Sequence, residues 1–225
     1  MKDRFDSFQD PRTVHFSVDD VGNSLSWACK NTPESIWEMH FFGKLRDFHI
    51  RFGTEVTLYC FFEICAEVHF VDIPKKYCSE FSEASNWLKF GFHSVNNKPF
   101  KKNNDWKNEF AGFCNFLKTN RMGTTDILRV HYWNATAEQE LSLAEKGVCT
   151  LLISPENKTY FENGIWHRQT RTYFERISDE IKEAVLGIGH SPLIAFTHEQ
   201  VFENQVSKIE AAFSIYTKNN YKFLS

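Results

Sequence analysis

Several signatures that would by themselves name a chemistry are missing from this chain. Its six cysteines, Cys29, Cys60, Cys65, Cys78, Cys114 and Cys149, form no C-x-x-C pair, which removes the zinc-knuckle and thioredoxin-like readings. No G-x-G-x-x-G or Walker A segment follows a candidate strand, so dinucleotide and P-loop chemistry lack their usual marker. Basic residues do not exceed acidic ones. The 26 Lys and Arg against 29 Asp and Glu leave a net charge of −3, which argues against binding to bulk nucleic acid or an anionic membrane surface. Apolar runs such as 56–62 fall far short of the roughly 20 residues that cross a bilayer. The opening residues, MKDRFDSFQDPR, are charged and contain no apolar leader. With the scattered cysteines read as buried free thiols, these absences predict a cytoplasmic protein with no membrane and no nucleic-acid partner. No linker, repeat or low-complexity stretch interrupts the chain, so residues 1–225 are expected to form a single domain of unspecified oligomeric state.

What the chain has in excess is aromatic side chains, 16% of all residues, 23 of them Phe, which is ample volume for a sizeable core. Apolar runs at 13–18, 56–62, 88–92, 126–130, 148–153 and 193–196 read as strands. Helical patterns lie between them. Thr32-Pro33 suits the start of a helix running through Trp37, His40, Phe41 and Leu45 to Gly53. A weaker helix follows Pro74. Asp105 is placed to cap a helix whose Trp106, Phe110, Phe113 and Leu117 share one face. Thr136 and Gln139 fit a capping box, with Gly147 at that helix's end. Asn163-Gly164 marks a hairpin. The last helix carries Phe202, Val206, Ile209, Phe213 and Tyr216 on one side. Strand–helix alternation throughout predicts an α/β fold with a parallel sheet, and periodicity alone leaves an open sheet and a barrel equally possible.

Polar groups gather where these strands end. Asp19-Asp20 follow the first strand, Glu63 the second, His93 the third, His131 the fourth and His198 the sixth. In parallel α/β folds the C-terminal strand ends converge, so residues distant in sequence meet there. Paired carboxylates can divide labour, one holding a cation while the other accepts a proton. Each residue also has an ordinary structural explanation: a turn for Asp-Asp-Val-Gly, core hydrogen bonding for His93, a structural ion pair for Arg129, a helix start for His198. The shared placement is what points to a site.

In that order the residues resemble the polysaccharide deacetylases of the NodB-homology type, metal-dependent carbohydrate esterases. Ser17-Val18-Asp19-Asp20 is similar to the family's T-F-D-D motif, His93-Ser94-Val95-Asn96-Asn97 to H-[ST]-x-x-H, Arg129-Val130-His131-Tyr132 to R-x-P-Y, and Phe196-Thr197-His198 to the final hydrophobic-x-His, together spanning Thr13–Glu199. The resemblance implies a single-domain deformed (β/α) barrel of about seven parallel strands. It implies Asp19 as general base, Asp20 and His93 as metal ligands, Arg129 as the residue that tunes the base, the Tyr132 N–H as an oxyanion donor and His198 as general acid. Two positions depart from the pattern. Asn97 replaces the second metal-binding histidine, and His131 replaces proline. Asn97, which keeps the motif's spacing, is then expected as the third ligand through its side-chain oxygen, ahead of His131 from the adjacent strand end. The D-x-x-D-W-type motif that supports the acid histidine has no counterpart. The expected cofactor is a divalent metal, zinc first and manganese or cobalt next. The expected substrate is a carbohydrate or other acylated amine, with Trp133, Tyr160 and Trp166 as candidate walls for a sugar ring. The alternatives are a carbohydrate-binding protein on the same fold that has lost turnover, and an unrelated barrel glycosidase using Asp19 and Glu63.

Overall fold

Strand β1 (Thr13–Val21) is buried along almost its whole length, as are β2 (Val56–Phe61) and β5 (Leu88–Ser94). Strands buried on both faces need cover on both sides, and here one side is helices and the other a barrel interior. The computed structural model describes residues 8, 12–65, 67–102, 104–176 and 192–224. After β1 come α1 (Asn23–Asn31), α2 (His40–Phe52), β2, the short pair β3 (Glu63–Cys65) and β4 (Val68–His69), α3 (Lys75–Glu83) and β5. Then follow α4 (Trp106–Thr119), β6 (Gly123–Thr124), β7 (Ile127–Leu128), α5 (Ala137–Glu145), β8 (Thr150–Ile153), β9 (Tyr160–Glu162), β10 (Ile165–Gln169) and β11 (Thr172–Tyr173). The chain ends with β12 (Leu193–His198), α6 (Phe202–Lys218) and β13 (Lys222–Leu224).

Parallel pairing runs β11-β12-β1-β2-β5-β6 in one sheet and β7-β8-β10 in a second, with β9 antiparallel at its edge. Strands β6 and β7 are separated by two residues, as are β10 and β11. Each such pair acts as one broken stave where the chain crosses between sheets. Counting them so gives a deformed barrel of seven parallel staves, the architecture implied by the resemblance. The last strand, β13, pairs with the start of β1 on the edge opposite β12, the edge that β2 takes further along.

Alternation along the staves sends polar groups inward. His15, Ser17 and Asp19 share one face of β1, while Phe16 on the other meets Phe213 of α6, with ring centroids 4.9 Å apart. Inside, the Tyr59 hydroxyl donates to the Ile127 carbonyl at 2.9 Å and lies 3.2 Å from His15 Nε2. Gly91 makes room for that ring, since a Cβ there would sit 2.6 Å from two Tyr59 ring carbons. His15 is fully buried and its pKa is pushed down to about 3, chiefly by that burial and by the charge of Arg129.

Outside, phenylalanines lock the helices on. Phe48 of α2 meets Phe213 at 5.4 Å, and Phe113 of α4 meets Phe70 at 4.3 Å. Such pairs add about 0.5–1.5 kcal/mol each beyond the area they bury. The expected face of α4 is buried throughout, and Val206 is the one member of the α6 face that is only half buried. The capping box of Thr136 and Gln139 is formed, and Asn163 and Gly164 turn the β9–β10 hairpin with φ of 51° and 79°.

Four expectations need correction. The helix expected from Pro33 begins at His40, because Thr32 takes a left-handed conformation that closes α1, a helix with no side-chain cap to announce it. Asp105 stands before α4 but makes no side-chain cap hydrogen bond. Strands one, three and six run further than their apolar runs, so Asp19, Asp20, His93 and His198 are in their strands' last residues. The cysteines are free, but only Cys60 and Cys78 are buried, and Cys114 is exposed.

Candidate active site

Asp19 and His198 are register partners on β1 and β12, so backbone pairing alone sets them side by side. Asp19 is 1% exposed. Its Oδ2 lies 3.0 Å from Nε of the fully buried Arg129, and its Oδ1 accepts a 3.1 Å hydrogen bond from the Ser17 hydroxyl. Burial pushes its carboxyl above the ordinary range, and the charges of Arg129, His93 and His198 only partly oppose that. Arg129 is held in turn: Nη1 donates to Thr170 Oγ1 at 2.8 Å, and the guanidinium lies 4.1 Å above the Phe196 ring.

Asp20, His93 and His131 make the second group. Asp20 Oδ1 lies 3.1 Å from His93 Nε2 and 3.5 Å from His131 Nε2, and the three ligand atoms fall within 4.8 Å of one another. The tautomers follow from the other ring nitrogens. His93 Nδ1 contacts the Arg129 carbonyl, and His131 Nδ1 contacts the Lys98 carbonyl at 3.1 Å. A carbonyl only accepts, so both Nδ1 atoms carry a proton, and in each neutral ring Nε2 turns its lone pair toward Asp20. Asp20 Oδ1 is buried and makes no hydrogen bond of good geometry. Acceptors facing one another at these distances require a cation or a proton between them. Burial works to raise the Asp20 carboxyl, yet a hydrogen bond from His93 and the positive charges of His93, His198 and His131, carried when those rings are protonated, hold it below its ordinary value. Burial, then the neighbouring His93, hold His131 below its own. An ionised carboxylate and two imidazoles oriented through backbone carbonyls fit a divalent cation with open coordination positions.

His198 stands on the other side of the cleft. Its Nδ1 is 3.3 Å from the Tyr173 hydroxyl and 3.4 Å from Glu175 Oε1. Glu175 Oε1 also accepts from the His198 backbone N–H at 2.6 Å and from the Thr197 hydroxyl at 2.8 Å. Burial alone would lower the His198 pKa, but the Glu175 contact and the negative charges of Asp19 and Asp20 raise it. Glu175 is thus a carboxylate partner for His198 of the kind the resemblance expects the missing motif to supply. It escaped the sequence reading because it follows β11, a two-residue strand with no periodicity to detect. Glu199 was missed as well. Its carboxylate accepts from the backbone N–H groups of Gly22, Asn23 and Ser24 at 2.8, 2.8 and 2.6 Å, which caps α1 and ties the segment after β12 to the segment after β1.

The cleft measures about 310 Å³ and is lined by Asp19, Asp20, His93, His131, Tyr132, Trp133, Tyr173 and His198. Arg129 sits behind Asp19 rather than on the wall. Tyr132 is 65% exposed. Asp20, Tyr132 and Trp133 all have left-handed backbones, with φ of 58°, 60° and 51°, and such strain concentrates where geometry serves a function. Asn97 is exposed and lines a neighbouring cavity of about 540 Å³, which also reaches Asp20 and Glu63. Neither cavity presents Asp19 and Glu63 together, as a glycosidase pair would require. Of the three candidate walls, Trp133 borders the cleft. Tyr160 stacks on His167 at 4.2 Å and Trp166 packs on Phe161 at 5.2 Å, both away from it.

No family model matches the sequence, and no curated protein matches it. Solved structures do match in fold. A peptidoglycan N-acetylglucosamine deacetylase is 12% identical, with a TM-score of 0.61 over 95% of this chain and 85% of its own. A family 4 carbohydrate esterase from Streptomyces lividans is 11% identical, with a TM-score of 0.52 over 92% of this chain and 88% of its own. A family 4 pseudoenzyme from Bacillus anthracis is 8% identical, with a TM-score of 0.58 over 94% of this chain and 63% of its own. The fold is therefore the deformed barrel found in family 4 carbohydrate esterases, and that barrel occurs in a pseudoenzyme as well as in enzymes.

Proposed function

We propose that this chain is a metal-dependent hydrolase that removes an acyl group, acetyl in the first instance, from the nitrogen of a sugar or related amide. The observation that carries this reading is the convergence of Asp20 Oδ1, His93 Nε2 and His131 Nε2, both imidazoles oriented by carbonyls, beside a second carboxylate and a third histidine. Asp20, His93 and His131 would hold the ion. Zinc suits a carboxylate and two imidazoles with an open position, and manganese or cobalt accepts the same donors. When bound, the ion polarises an acyl carbonyl and acidifies water.

The chain's own groups supply the rest. Asp19 accepts the proton from the attacking water, and its raised pKa makes it a stronger base than an ordinary carboxylate. The left-handed turn at Tyr132 offers a backbone N–H for charge developing on the acyl oxygen. His198 has its Nδ1 engaged by Glu175 and Tyr173, so Nε2 is the atom that delivers a proton to the leaving amine. Arg129 positions Asp19 from behind. We take residues 1–225 as one catalytic domain.

Activity does not follow from the barrel, since the fold also occurs in a pseudoenzyme. The test is acetate release from a panel of N-acetylated sugars by metal-loaded protein, with Asp19→Asn alongside. The variant keeps the shape and removes the base. It should lose about 10²–10⁴-fold in turnover while binding metal as the parent does. Metal binding with no release from any substrate would favour the binding-protein reading. Unchanged turnover in Asp19→Asn would remove Asp19 from its role.

A further inference from the structure

Resting on that reading of the cleft, we propose that the adjoining 540 Å³ cavity recognises an ammonium group. Its ligand would be the free amine of an amino-sugar unit next to the unit that loses its acyl group, and Glu63 would be the residue that selects it. The cavity and the cleft share Asp20 as a common wall, so a substrate of two or more units can occupy both. The volume lies within the usual range for small-molecule sites, roughly 300–1,000 Å³. The charge of the lining is one-sided. Phe61, Glu63, His69, Asn96 and Asn97 border the cavity, and no Lys or Arg does among the described residues. The His69 ring is turned to Asp72, with Nδ1 3.4 Å from its carboxylate.

Glu63 is held for the purpose. Its backbone N–H donates to the Val95 carbonyl at 2.7 Å. Its Oε2 accepts from Asn96 Nδ2 at 2.8 Å, and Asn96 Oδ1 accepts from the Lys98 backbone N–H at 3.1 Å. The loop after β5 thus fixes one carboxylate oxygen, and Oε1 has no protein partner among the described residues. A fixed carboxylate attracts R–NH3+ by charge as well as by hydrogen bonding, whereas a hydroxyl or an acetamide N–H offers the hydrogen bond alone, so an ammonium is favoured in the same place. The preferred substrate is then a partly deacetylated chain, in which an exposed amine marks the neighbouring unit for reaction.

The test uses metal-loaded protein and two β-1,4 disaccharides, one with a free glucosamine unit beside an N-acetylated unit and one with both units N-acetylated, titrated by calorimetry. The parent should bind the free-amine disaccharide about two- to fivefold tighter, the scale of an exposed ion pair. Glu63→Gln keeps an oxygen to accept from Asn96 and removes the charge, so it should abolish that preference. Raising the pH above the amine pKa should abolish it in the parent. Glu138→Gln, which removes a charge in an exposed pair with Lys107, should leave the preference intact. Equal binding of the two disaccharides, or a preference that survives Glu63→Gln, would overturn the proposal. Neither ligand has to be hydrolysed, so a failure of the deacetylase reading would show separately as absent acetate release.

Discussion

Replacing Arg129 with methionine isolates the buried ion pair that holds Asp19. Methionine keeps an unbranched apolar stem out to about the position of Nε and carries no charge. In the parent, the Arg129 and Asp19 charges lie 3.0 Å apart with neither exposed to solvent. At an effective dielectric constant of about 20, that attraction amounts to about 5 kcal/mol, largely offset by the desolvation of both ions. Removing one partner leaves the desolvation of Asp19 uncompensated, with only the Ser17 hydroxyl still bonded to it. The expected loss is about 3–5 kcal/mol, which for a chain of this size lowers Tm by about 6–20 °C. The pH dependence has a definite sign. The folded-state pKa of Asp19 is already raised, so its contribution to stability is fully present below the unfolded pKa and is lost as pH rises through the folded value. Without Arg129 that pKa rises further, so the gap between variant and parent should widen as pH rises and close in acid. Thermal unfolding of parent, Arg129→Met, Asp19→Asn and the double variant across pH supplies the full cycle. The double variant, with no buried charge left at this place, should recover most of the loss. If Arg129→Met unfolds within 1 kcal/mol of the parent at neutral pH, about the scale of an exposed pair, or if the double variant is worse than the single, the buried-pair account is wrong.

The third metal ligand can be decided by two substitutions. His131→Ala should weaken metal binding by well over tenfold in a calorimetric titration, while Asn97→His should alter it little; the opposite pattern would restore Asn97 as the ligand. Glu175→Gln should lower the His198 pKa, because the first-named upward influence on it is gone. The acid must be protonated to act, so activity is lost as pH rises through that pKa, and the alkaline limb of kcat should move to lower pH. An unmoved limb would detach Glu175 from His198.

The strand-end residues were legible because parallel strands converge at their C-terminal ends whatever their sequences, so Asp19, Asp20, His93, His131 and His198 could be grouped without knowing the strand order. Asn97 shows the limit of spacing. Residues four apart meet when they lie on a helix, but the segment after His93 is strand end and loop, which leaves Asn97 exposed while His131 reaches Asp20 from the next stave. Glu175 and Glu199 were invisible for a different reason. Their partners are backbone N–H groups and a ring nitrogen brought near by folding, and a carboxylate in a loop carries no periodic signal. Thr32-Pro33 has the chemistry of a helix start. It closes α1 instead because the preceding nine residues, which no cap announces, are already helical.

Pairing of β1 with β12 has a consequence for how the molecule comes into being. Asp19 and His198, the proposed proton acceptor and proton donor, stand on adjacent staves but are separated by nearly the whole chain. On a ribosome adding about 5–20 residues per second, the roughly 180 residues between them take about 10–40 s to appear. Throughout that interval β1 has one edge unpaired, and the backbone N–H groups that open α1 wait for Glu199. Closure of the barrel and assembly of the cleft are then a single late event, so a chain arrested before β12 has neither. An exposed edge held open that long is a natural target for chaperones and a place where neighbouring nascent chains can pair wrongly.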